Sequence, residues 1–323
     1  MKAIVVRNHG GPEVLTYEDV EIRQPGSGEI RVRNRAIGVN YTDIYARTGA
    51  FNPPELPFIP GKEGAGEVIS VGPDVYDFSP GDRVAYVESM GAYAEEHVVP
   101  AHFAVHLPDS IDFKAAAAMM LKGLTAQFLL RRTFHVEARH TILVHAAAGG
   151  VGSILTQWAK SFGATVIGTV GSPEKREIAY KNGCDFVIDY HKEDVATRVK
   201  EITNGEGCHV VYDGIGKATF SASLDSLRPF GYFVNFGLAS GPIDSLDISI
   251  LAEKGSLFAT FPVLTEHLAK QEDVLSMSDE LFHTVSSGAV KIQTPAHMSL
   301  AEASQAHRKL ESRQTTGVMI LLP

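Results

Sequence analysis

The sequence has few of the features that build secreted or membrane-spanning proteins. Only two cysteines, Cys184 and Cys208, occur in 323 residues, which excludes a disulfide scaffold. No stretch approaches the roughly 18 uncharged apolar residues of a membrane span. The chain begins with a strand pattern at residues 1–6 rather than with a signal peptide. These features predict a cytoplasmic protein that has no membrane partner.

Basic residues are also fewer than acidic residues. The 29 Lys and Arg residues face 38 Asp and Glu residues, which gives a net charge of −9. A broad basic surface is therefore excluded, and no nucleic-acid partner is expected. The apolar fraction of 44% and the charged fraction of 21% indicate a folded globular protein. Its length is typical of two domains rather than one.

Short strand patterns interrupted by Gly and Pro fill residues 1–110. Residues 30–37 and 92–99 alternate between apolar and polar side chains, as half-buried strands do. We therefore expect an antiparallel, barrel-like domain in this part of the chain. After it, residues 113–121 and 125–134 are predicted to form two helices that are separated by Gly123.

Strands and helices alternate along the middle of the chain. Strands are predicted at residues 141–145, 165–170, 186–189, 208–212 and 231–236, with a sixth at 256–261. Strands that alternate with helices at this spacing pair in parallel through right-handed crossovers, so an α/β doubly wound sheet of the Rossmann type is expected. The last strand pattern, residues 317–322, has no place in that sheet and is expected to return to the first domain.

A turn of small residues joins the first of these strands to the helix that follows. Gly149 and Gly152 occupy the last two positions of the fingerprint Gly-x-Gly-x-x-Gly, and Ala147 occupies the first. Such a turn lets a pyrophosphate approach the backbone and directs helix N–H groups towards it. An ordinary tight turn is the alternative, but the strand–turn–helix–strand context disfavours it. The predicted dinucleotide contacts in this turn are Gly149, Gly150, Val151 and Gly152.

No carboxylate ends the second strand, although NAD-binding units carry one there to bind the ribose. Gly171 leaves room for a 2′-phosphate, Ser172 can donate a hydrogen bond to it, and Lys175 or Arg176 can neutralise it. We therefore expect NADPH rather than NADH as the cofactor. The alternative for the two basic side chains is a solvated helix surface. Glu174 is expected in the first turn of the next helix, where the helix dipole favours a carboxylate.

Several sequence blocks in a constant order resemble the zinc-free medium-chain dehydrogenases/reductases, specifically the NADPH:quinone oxidoreductase and zeta-crystallin branch. The blocks lie at residues 11–15, 38–43, 61–66, 81–84, 122–126, 145–152 and 212–216. The resemblance runs end to end and implies two domains with a cleft between them. They are a GroES-like β-barrel catalytic domain at residues 1–124 and 263–323 and a Rossmann NADPH-binding domain at 125–262. It also implies a homodimer, in which the apolar strand at 256–261 pairs at the edge of the sheet.

The chain departs from the zinc-dependent members of this family at the positions of their metal ligands. The resemblance places Asp43 where those proteins carry a Cys ligand and Lys62 where they carry a His ligand. Catalytic zinc needs three protein ligands in a tetrahedral arrangement. Histidine pairs such as His102 and His106 have no Cys or carboxylate at ligand spacing beside them. No metal site is therefore expected.

Without a metal, hydride or electron transfer from a nicotinamide needs an acceptor that is already electrophilic, such as a quinone or an enone. The resemblance places Asn40, Tyr45 and Phe51 on the segment beneath the nicotinamide. Asn40 and Tyr45 are the candidate catalytic residues; Asn40 is also a candidate cofactor contact, and Tyr45 and Phe51 are candidate substrate contacts. The alternatives are a helix cap for Asn40, packing for Tyr45 and core packing for Phe51.

Further cofactor contacts are implied by position in the family. Thr125 is expected to begin a helix that faces the cleft, and Tyr190 follows the third strand, where its ring can flank the adenosine. The ends of the fourth and fifth strands and the returning tail supply the remaining candidates. These are Ile215, Gly216, Phe236, Gly237 and Arg313. An ordinary surface or loop residue is the alternative for each.

Three functions are compatible with these observations. An NADPH-dependent quinone reductase is the function that we expect. A 2-alkenal or enone reductase would use the same fold and the same cofactor. A non-catalytic, crystallin-like protein that binds NADPH is the third, and the acidic charge disfavours an RNA-binding role for it.

Overall fold

The computed structural model describes residues 1–51, 53–293, 296–312 and 315–323. The chain divides into two compact units, and each is described by itself. The first unit comprises Met1–Leu124, His267–Ser286 and Ile292–Pro323. The second unit comprises Thr125–Glu266 and Ser287–Lys291.

The described residues form fifteen strands and ten α-helices. The strands are β1 (Lys2–Val6), β2 (Leu15–Asp19), β3 (Glu29–Gly38), β4 (Glu63–Val71), β5 (Arg83–Val87), β6 (Glu96–Pro100), β7 (Ala104–His106), β8 (Thr141–Val144), β9 (Thr165–Val170), β10 (Phe186–Asp189), β11 (Cys208–Asp213), β12 (Leu227–Asn235), β13 (Phe258–Thr260), β14 (Ala296–Ser299) and β15 (Met319–Leu322). The helices are α1 (Tyr41–Thr48), α2 (Phe113–Phe128), α3 (Gly150–Ser161), α4 (Pro173–Lys181), α5 (Val195–Ile202), α6 (Phe220–Asp225), α7 (Ser249–Glu253), α8 (Leu264–His267), α9 (Gln271–Ser286) and α10 (Ala303–Glu311).

The first unit is built on a largely antiparallel sheet. Its strand order is β14-β15-β3-β4-β5-β7, with β6 paired to β3 and a separate ribbon formed by β1 and β2. The predicted alternation in β3 is confirmed, because Ile30, Val32 and Ala36 are buried while Arg33 and Arg35 are exposed. β15 pairs antiparallel with β3, so the last strand returns to this part of the molecule as expected.

The second unit contains a six-stranded parallel sheet with the order β10-β9-β8-β11-β12-β13. Counted from its own first strand, this order is 3-2-1-4-5-6, which is the Rossmann arrangement. The predicted α/β doubly wound sheet is therefore confirmed. β12 begins at Leu227, earlier than the predicted start at residue 231, and a register shift between Cys208 and Val210 accommodates the additional residues. Apolar side chains of the strands form the core, including Leu143, Ile167 and Val211.

α2 corrects two predictions. The helix continues through Gly123, so two separate helices are not formed, and Thr125 lies inside a helix rather than at the start of one. A glycine costs only about 1 kcal/mol in a helix interior. In return, its missing side chain permits close packing, because a β-carbon there would lie 2.6 Å from Leu281 Cδ1 on α9. A π-helical turn at Leu129–Thr133 follows directly.

Both cysteines are buried and unpaired. Burial raises the pKa of the Cys184 thiol and of the Cys208 thiol to about 12. Across the part of the chain that the structure describes, no helix combines the length and the apolar character that a membrane crossing requires.

Candidate functional site

The turn between β8 and α3 has the geometry of a phosphate-binding turn. Gly149 is the N-cap of α3, and its N–H donates to Ala146 O at 2.8 Å. A β-carbon at Gly152 would collide with that same carbonyl oxygen, so the backbone passes too close for any side chain. Gly150 and Val151 form the first turn of α3, where unpaired N–H groups and the positive end of the dipole favour an anion.

The segment after β9 is free of carboxylates until α4 has begun. Ser172 is the N-cap of α4, and its Oγ accepts a hydrogen bond from the Lys175 backbone N–H at 3.3 Å. Glu174 lies in the first turn of α4, as predicted. A β-carbon at Gly171 would collide with the Tyr190 hydroxyl, so the phenol lies directly over this glycine. The structure therefore places Tyr190 beside the segment of Gly171 and Ser172. Tyr190 is 44% exposed.

The carboxyl ends of β11 and β12 form a second tight arrangement. The buried carboxylate of Asp213 accepts hydrogen bonds from Ile215 N–H at 2.8 Å and from Gly216 N–H at 3.0 Å. A β-carbon at Gly237 would lie 2.6 Å from Gly214 O, and the Phe236 ring lies against Gly214. The predicted residues Ile215, Gly216, Phe236 and Gly237 therefore lie in two loops that are packed backbone to backbone.

A charged cluster holds Asn40 in the first unit. The Asn40 Nδ2 group donates to Glu63 Oε1 at 2.8 Å, and Lys122 Nζ donates to Asn40 Oδ1 at 2.7 Å. Lys122 Nζ also donates to Glu63 Oε1 at 2.7 Å, while Glu63 Oε2 accepts from the Leu121 N–H. All three polar side chains are buried. The two charged partners therefore fix which way the Asn40 amide points.

A second buried chain of hydrogen bonds begins at Asp43 on α1. Its Oδ2 accepts from the Asn40 backbone N–H at 2.8 Å and from the Tyr93 hydroxyl at 3.0 Å. The Tyr93 oxygen is 3.0 Å from His307 Nε2, and Arg47 lies 3.3 Å from His307 Nδ1. Arg47 also pairs with Glu311 at 2.5 Å. These hydrogen bonds connect α1 to α10 within the first unit.

Burial is the main cause of the pKa shifts of Asp43 and His307 in this hydrogen-bonded network. It raises the pKa of Asp43 to about 7, against the opposing hydrogen bonds from the Asn40 N–H and the Tyr93 hydroxyl. It also lowers the pKa of His307 to about 3, with the Arg47 charge acting in the same direction. Because an arginine can only donate, His307 Nδ1 accepts, and the ring proton on Nε2 is donated to the Tyr93 oxygen.

The helix cap expected as the alternative for Asn40 is present together with the polar cluster, since Asn40 is the N-cap of α1. Tyr45 is half-buried, and its ring centroid lies 6.3 Å from that of Tyr41. Phe51 is 48% exposed, so the core-packing alternative for this residue is wrong. Thr125 is buried within α2. Arg313 lies outside the described residues.

The two positions at which zinc-dependent relatives carry ligands are engaged in other contacts. Lys62 Nζ pairs with Glu88 at 3.0 Å, and Asp43 Oδ2 is held by Asn40 and Tyr93. Within the described ranges, no group of three or more His, Cys, Asp or Glu side chains is arranged to hold a metal ion. The residues present at these positions do not fit a catalytic zinc.

Sequence reasoning missed the buried polar groups that support the predicted residues. One signal was available, because Lys122 directly follows the apolar run of residues 115–121 in α2, and a buried lysine requires a partner. The other groups come from segments that lie far apart in the chain and carry no local motif. The missed residues are Glu63, Tyr93, Lys122, Asp213 and His307.

Comparison with known proteins gives consistent matches over the whole chain. The alcohol dehydrogenase GroES-like domain model matches residues 26–109, and the zinc-binding dehydrogenase model matches residues 150–276. A quinone oxidoreductase of Pseudomonas aeruginosa is 50% identical over 100% of this chain and 99% of that protein. A 2-haloacrylate reductase of a Burkholderia species is 42% identical over 99% of this chain and 98% of that protein. The crystal structure of Escherichia coli quinone oxidoreductase complexed with NADPH has a TM-score of 0.98 and 43% identity, with 100% of both chains covered.

Proposed function

Since this chain belongs to the quinone oxidoreductase branch of the medium-chain dehydrogenase/reductase family, we propose that it reduces quinones with NADPH. The observation that carries the proposal is a pair of segments in the second unit whose geometry and charge suit an anion. The turn at Gly149–Gly152 favours a pyrophosphate, and the segment of Gly171 and Ser172 has no carboxylate to repel a 2′-phosphate. Escherichia coli quinone oxidoreductase, which is 43% identical, was crystallised with NADPH.

Each part of the second unit would hold a different part of the cofactor. The N–H groups at the start of α3 would bind the pyrophosphate, and Ser172 and Lys175 would bind the 2′-phosphate. The ring of Tyr190 would flank the adenosine. The loops that end β11 and β12 and the buried Thr125 would complete the binding site. When bound, NADPH supplies the hydride that reduces the acceptor.

In the first unit, Asn40 and Tyr45 would hydrogen-bond the acceptor carbonyl, and Phe51 would contact its ring. Asn40 is well suited because Lys122 donates to its Oδ1, which polarises the amide and strengthens its N–H donors. One amide hydrogen remains after the hydrogen bond to Glu63. We propose that this reaction proceeds without a metal, because Asp43 and Lys62 are engaged by other side chains.

A 2-alkenal or enone reductase is the second candidate, favoured by the 42% identity to a 2-haloacrylate reductase, whose name denotes an activated alkene substrate. The test is NADPH oxidation by the purified protein with a naphthoquinone in one assay and a 2-alkenal in the other. We expect the higher kcat/KM with the quinone. Turnover of the alkenal alone would establish the second candidate. Binding of NADPH with no turnover of either acceptor would indicate a non-catalytic protein.

We also propose a homodimer that forms through the edge of the parallel sheet. β13 is an edge strand, and two apolar residues on it or directly after it are exposed: Phe258 by 50% and Phe261 by 43%. Exposed apolar edge strands tend to pair with another chain. The buried, unpaired cysteines support a reducing compartment, for which we propose the cytoplasm.

A further inference from the structure

The imidazole of His145 lies at the centre of a buried network in the second unit. His145 follows β8 and immediately precedes the fingerprint turn. Its Nδ1 is 3.0 Å from Thr169 Oγ1 on β9, and its Nε2 is 3.0 Å from Ser223 Oγ on α6. Ser223 Oγ in turn donates to Asp213 Oδ2 at 2.7 Å. All four side chains are buried.

The positions of the protons in this network follow from the number of donors. Asp213 accepts four hydrogen bonds, two at Oδ1 from backbone N–H groups and two at Oδ2 from Thr219 and Ser223. The single hydroxyl proton of Ser223 is therefore donated to Asp213, and Ser223 accepts from His145 Nε2–H. His145 Nδ1 then accepts the proton of Thr169. Burial lowers the pKa of His145, which favours the neutral form of the ring over the imidazolium.

The network joins three segments that are separated in the chain. His145 leads into the turn at residues 146–152, and its own N–H donates to Tyr212 O at 3.0 Å. Thr169 is two residues before Gly171, and its carbonyl accepts the Ala147 N–H at 3.2 Å. Asp213 holds the N–H groups of Ile215 and Gly216. One neutral imidazole thus links the turn, the 2′-phosphate segment and the loop after β11.

We propose that His145 is a positioning residue for NADPH, which sets the spacing of the three cofactor-binding segments through Thr169 and Ser223. This inference rests on the proposed function, because it assigns those segments to the cofactor. His145 makes three polar contacts inside the protein, through its two ring nitrogens and its backbone N–H. Its contribution is to the affinity for the cofactor, since a displaced segment loses the preorganised arrangement that binding requires.

The test compares variants that cut the network with matched variants that do not. Ser223→Ala and Thr169→Val each remove one hydroxyl partner of His145. Ser226→Ala removes an equally buried hydroxyl at the end of the same helix, which donates to the Ala222 carbonyl at 2.6 Å. Thr169→Ser retains the hydroxyl. The Kd for NADPH is measured by the change in nucleotide fluorescence on binding, and the thermal midpoint of unfolding is measured in parallel.

We expect Ser223→Ala and Thr169→Val to raise the Kd for NADPH by about tenfold, the loss typical of a buried polar group that has lost its partner. Thr169→Ser should bind NADPH with the wild-type Kd. Ser226→Ala should also bind NADPH with the wild-type Kd, whether or not its thermal midpoint of unfolding falls. The double variant Thr169→Val/Ser223→Ala should lose less than the product of the two single effects, because both act through one ring.

Two results would overturn the inference. One is wild-type NADPH affinity in both Ser223→Ala and Thr169→Val. The other is an equal loss of affinity in Ser226→Ala, because that would trace the effect to general destabilisation. A wild-type protein that fails to bind NADPH would overturn the proposed function as well, so the failure of the inference and the failure of the function give different results.

Discussion

The ammonium group of Lys122 is buried and depends on two side chains for its stability. Glu63 and Asn40 accept its hydrogen bonds at 2.7 Å, and Glu63 is itself buried. Removing one partner of a buried ion pair leaves an uncompensated charge. We predict that Lys122→Met lowers the free energy of unfolding by about 3–5 kcal/mol, measured by urea denaturation.

The matched control is Lys217→Met, which removes an ion pair that is exposed on both sides and should leave the denaturation midpoint unchanged. The double variant Glu63→Gln/Lys122→Met should recover part of the loss, because it no longer leaves a buried carboxylate without a counter-charge. A single variant as stable as the wild type would show that the cluster is open to water.

Asp43 gives the first unit a specific dependence on pH. Its pKa is about 7 in the folded protein against an ordinary value of 3.8, so the folded state favours the protonated form. A pKa that is raised on folding contributes stability below the unfolded value, and that stability is lost as the pH rises through the folded value. Each pKa unit corresponds to about 1.4 kcal/mol.

We predict that Asp43→Asn, which keeps an oxygen acceptor for Tyr93, removes this dependence. The stability of the wild type minus that of Asp43→Asn should fall as the pH rises from about 4 to about 7, and should then level off. His307, whose pKa is about 3, titrates in both proteins, so its contribution to the pH dependence of stability cancels in the difference. A difference that stays constant over this range would contradict the raised pKa.

At the scale of secondary-structure elements, the turn between β8 and α3 gives the sharpest prediction. A β-carbon at Gly152 would meet the Ala146 carbonyl oxygen, which belongs to the backbone and cannot rotate away. A β-carbon at Gly149 would lie 3.1 Å from the same oxygen, a contact that a small shift relieves. We predict that Gly152→Ala loses NADPH binding in a fluorescence titration and that Gly149→Ala loses much less. Equal affinity in Gly152→Ala and wild type would contradict the close approach.

Elements whose signal is local were predicted well. The six parallel strands follow from short apolar runs that alternate with helical segments, and Glu174 lies in the first turn of α4, where the helix dipole favours a carboxylate. The prediction at Gly123 was wrong because a glycine can continue a helix where close packing requires the absence of a side chain. The packing partner, Leu281, lies 158 residues later in a different helix. Local sequence carries no information about that contact.

In the candidate site, too, local features could be predicted from the sequence and long-range contacts could not. The glycines of the turn lie within four residues of one another, so the tight turn that they form was predictable from their spacing. Lys122 and Glu63, in contrast, meet across 59 residues, and Tyr93 and His307 meet across 214. Buried polar pairs of this kind are set by the tertiary fold, and a single sequence does not show which of its polar residues it buries.

For the whole molecule, the exposed edge of the parallel sheet predicts a defined oligomer. The proposed dimer has twice the mass of the 34.9 kDa chain. Phe258→Lys places a charge on β13 and should convert the dimer to a monomer in size-exclusion chromatography with light scattering, because charged edges resist pairing. Tyr76→Lys, which alters an exposed aromatic residue on the first unit, should remain a dimer. A wild-type protein that elutes only as a monomer would contradict this proposal.

We propose above all that this chain reduces a quinone with NADPH and without a metal. The most direct test is the ratio of kcat/KM for NADPH to that for NADH, with a naphthoquinone as acceptor and after exhaustive chelation, in the wild type and in Lys175→Ala. We expect undiminished turnover after chelation, a preference for NADPH, and loss of that preference in Lys175→Ala, because the 2′-phosphate loses its counter-charge. Turnover that chelation abolishes, or a wild-type enzyme that uses NADH equally well, would contradict it.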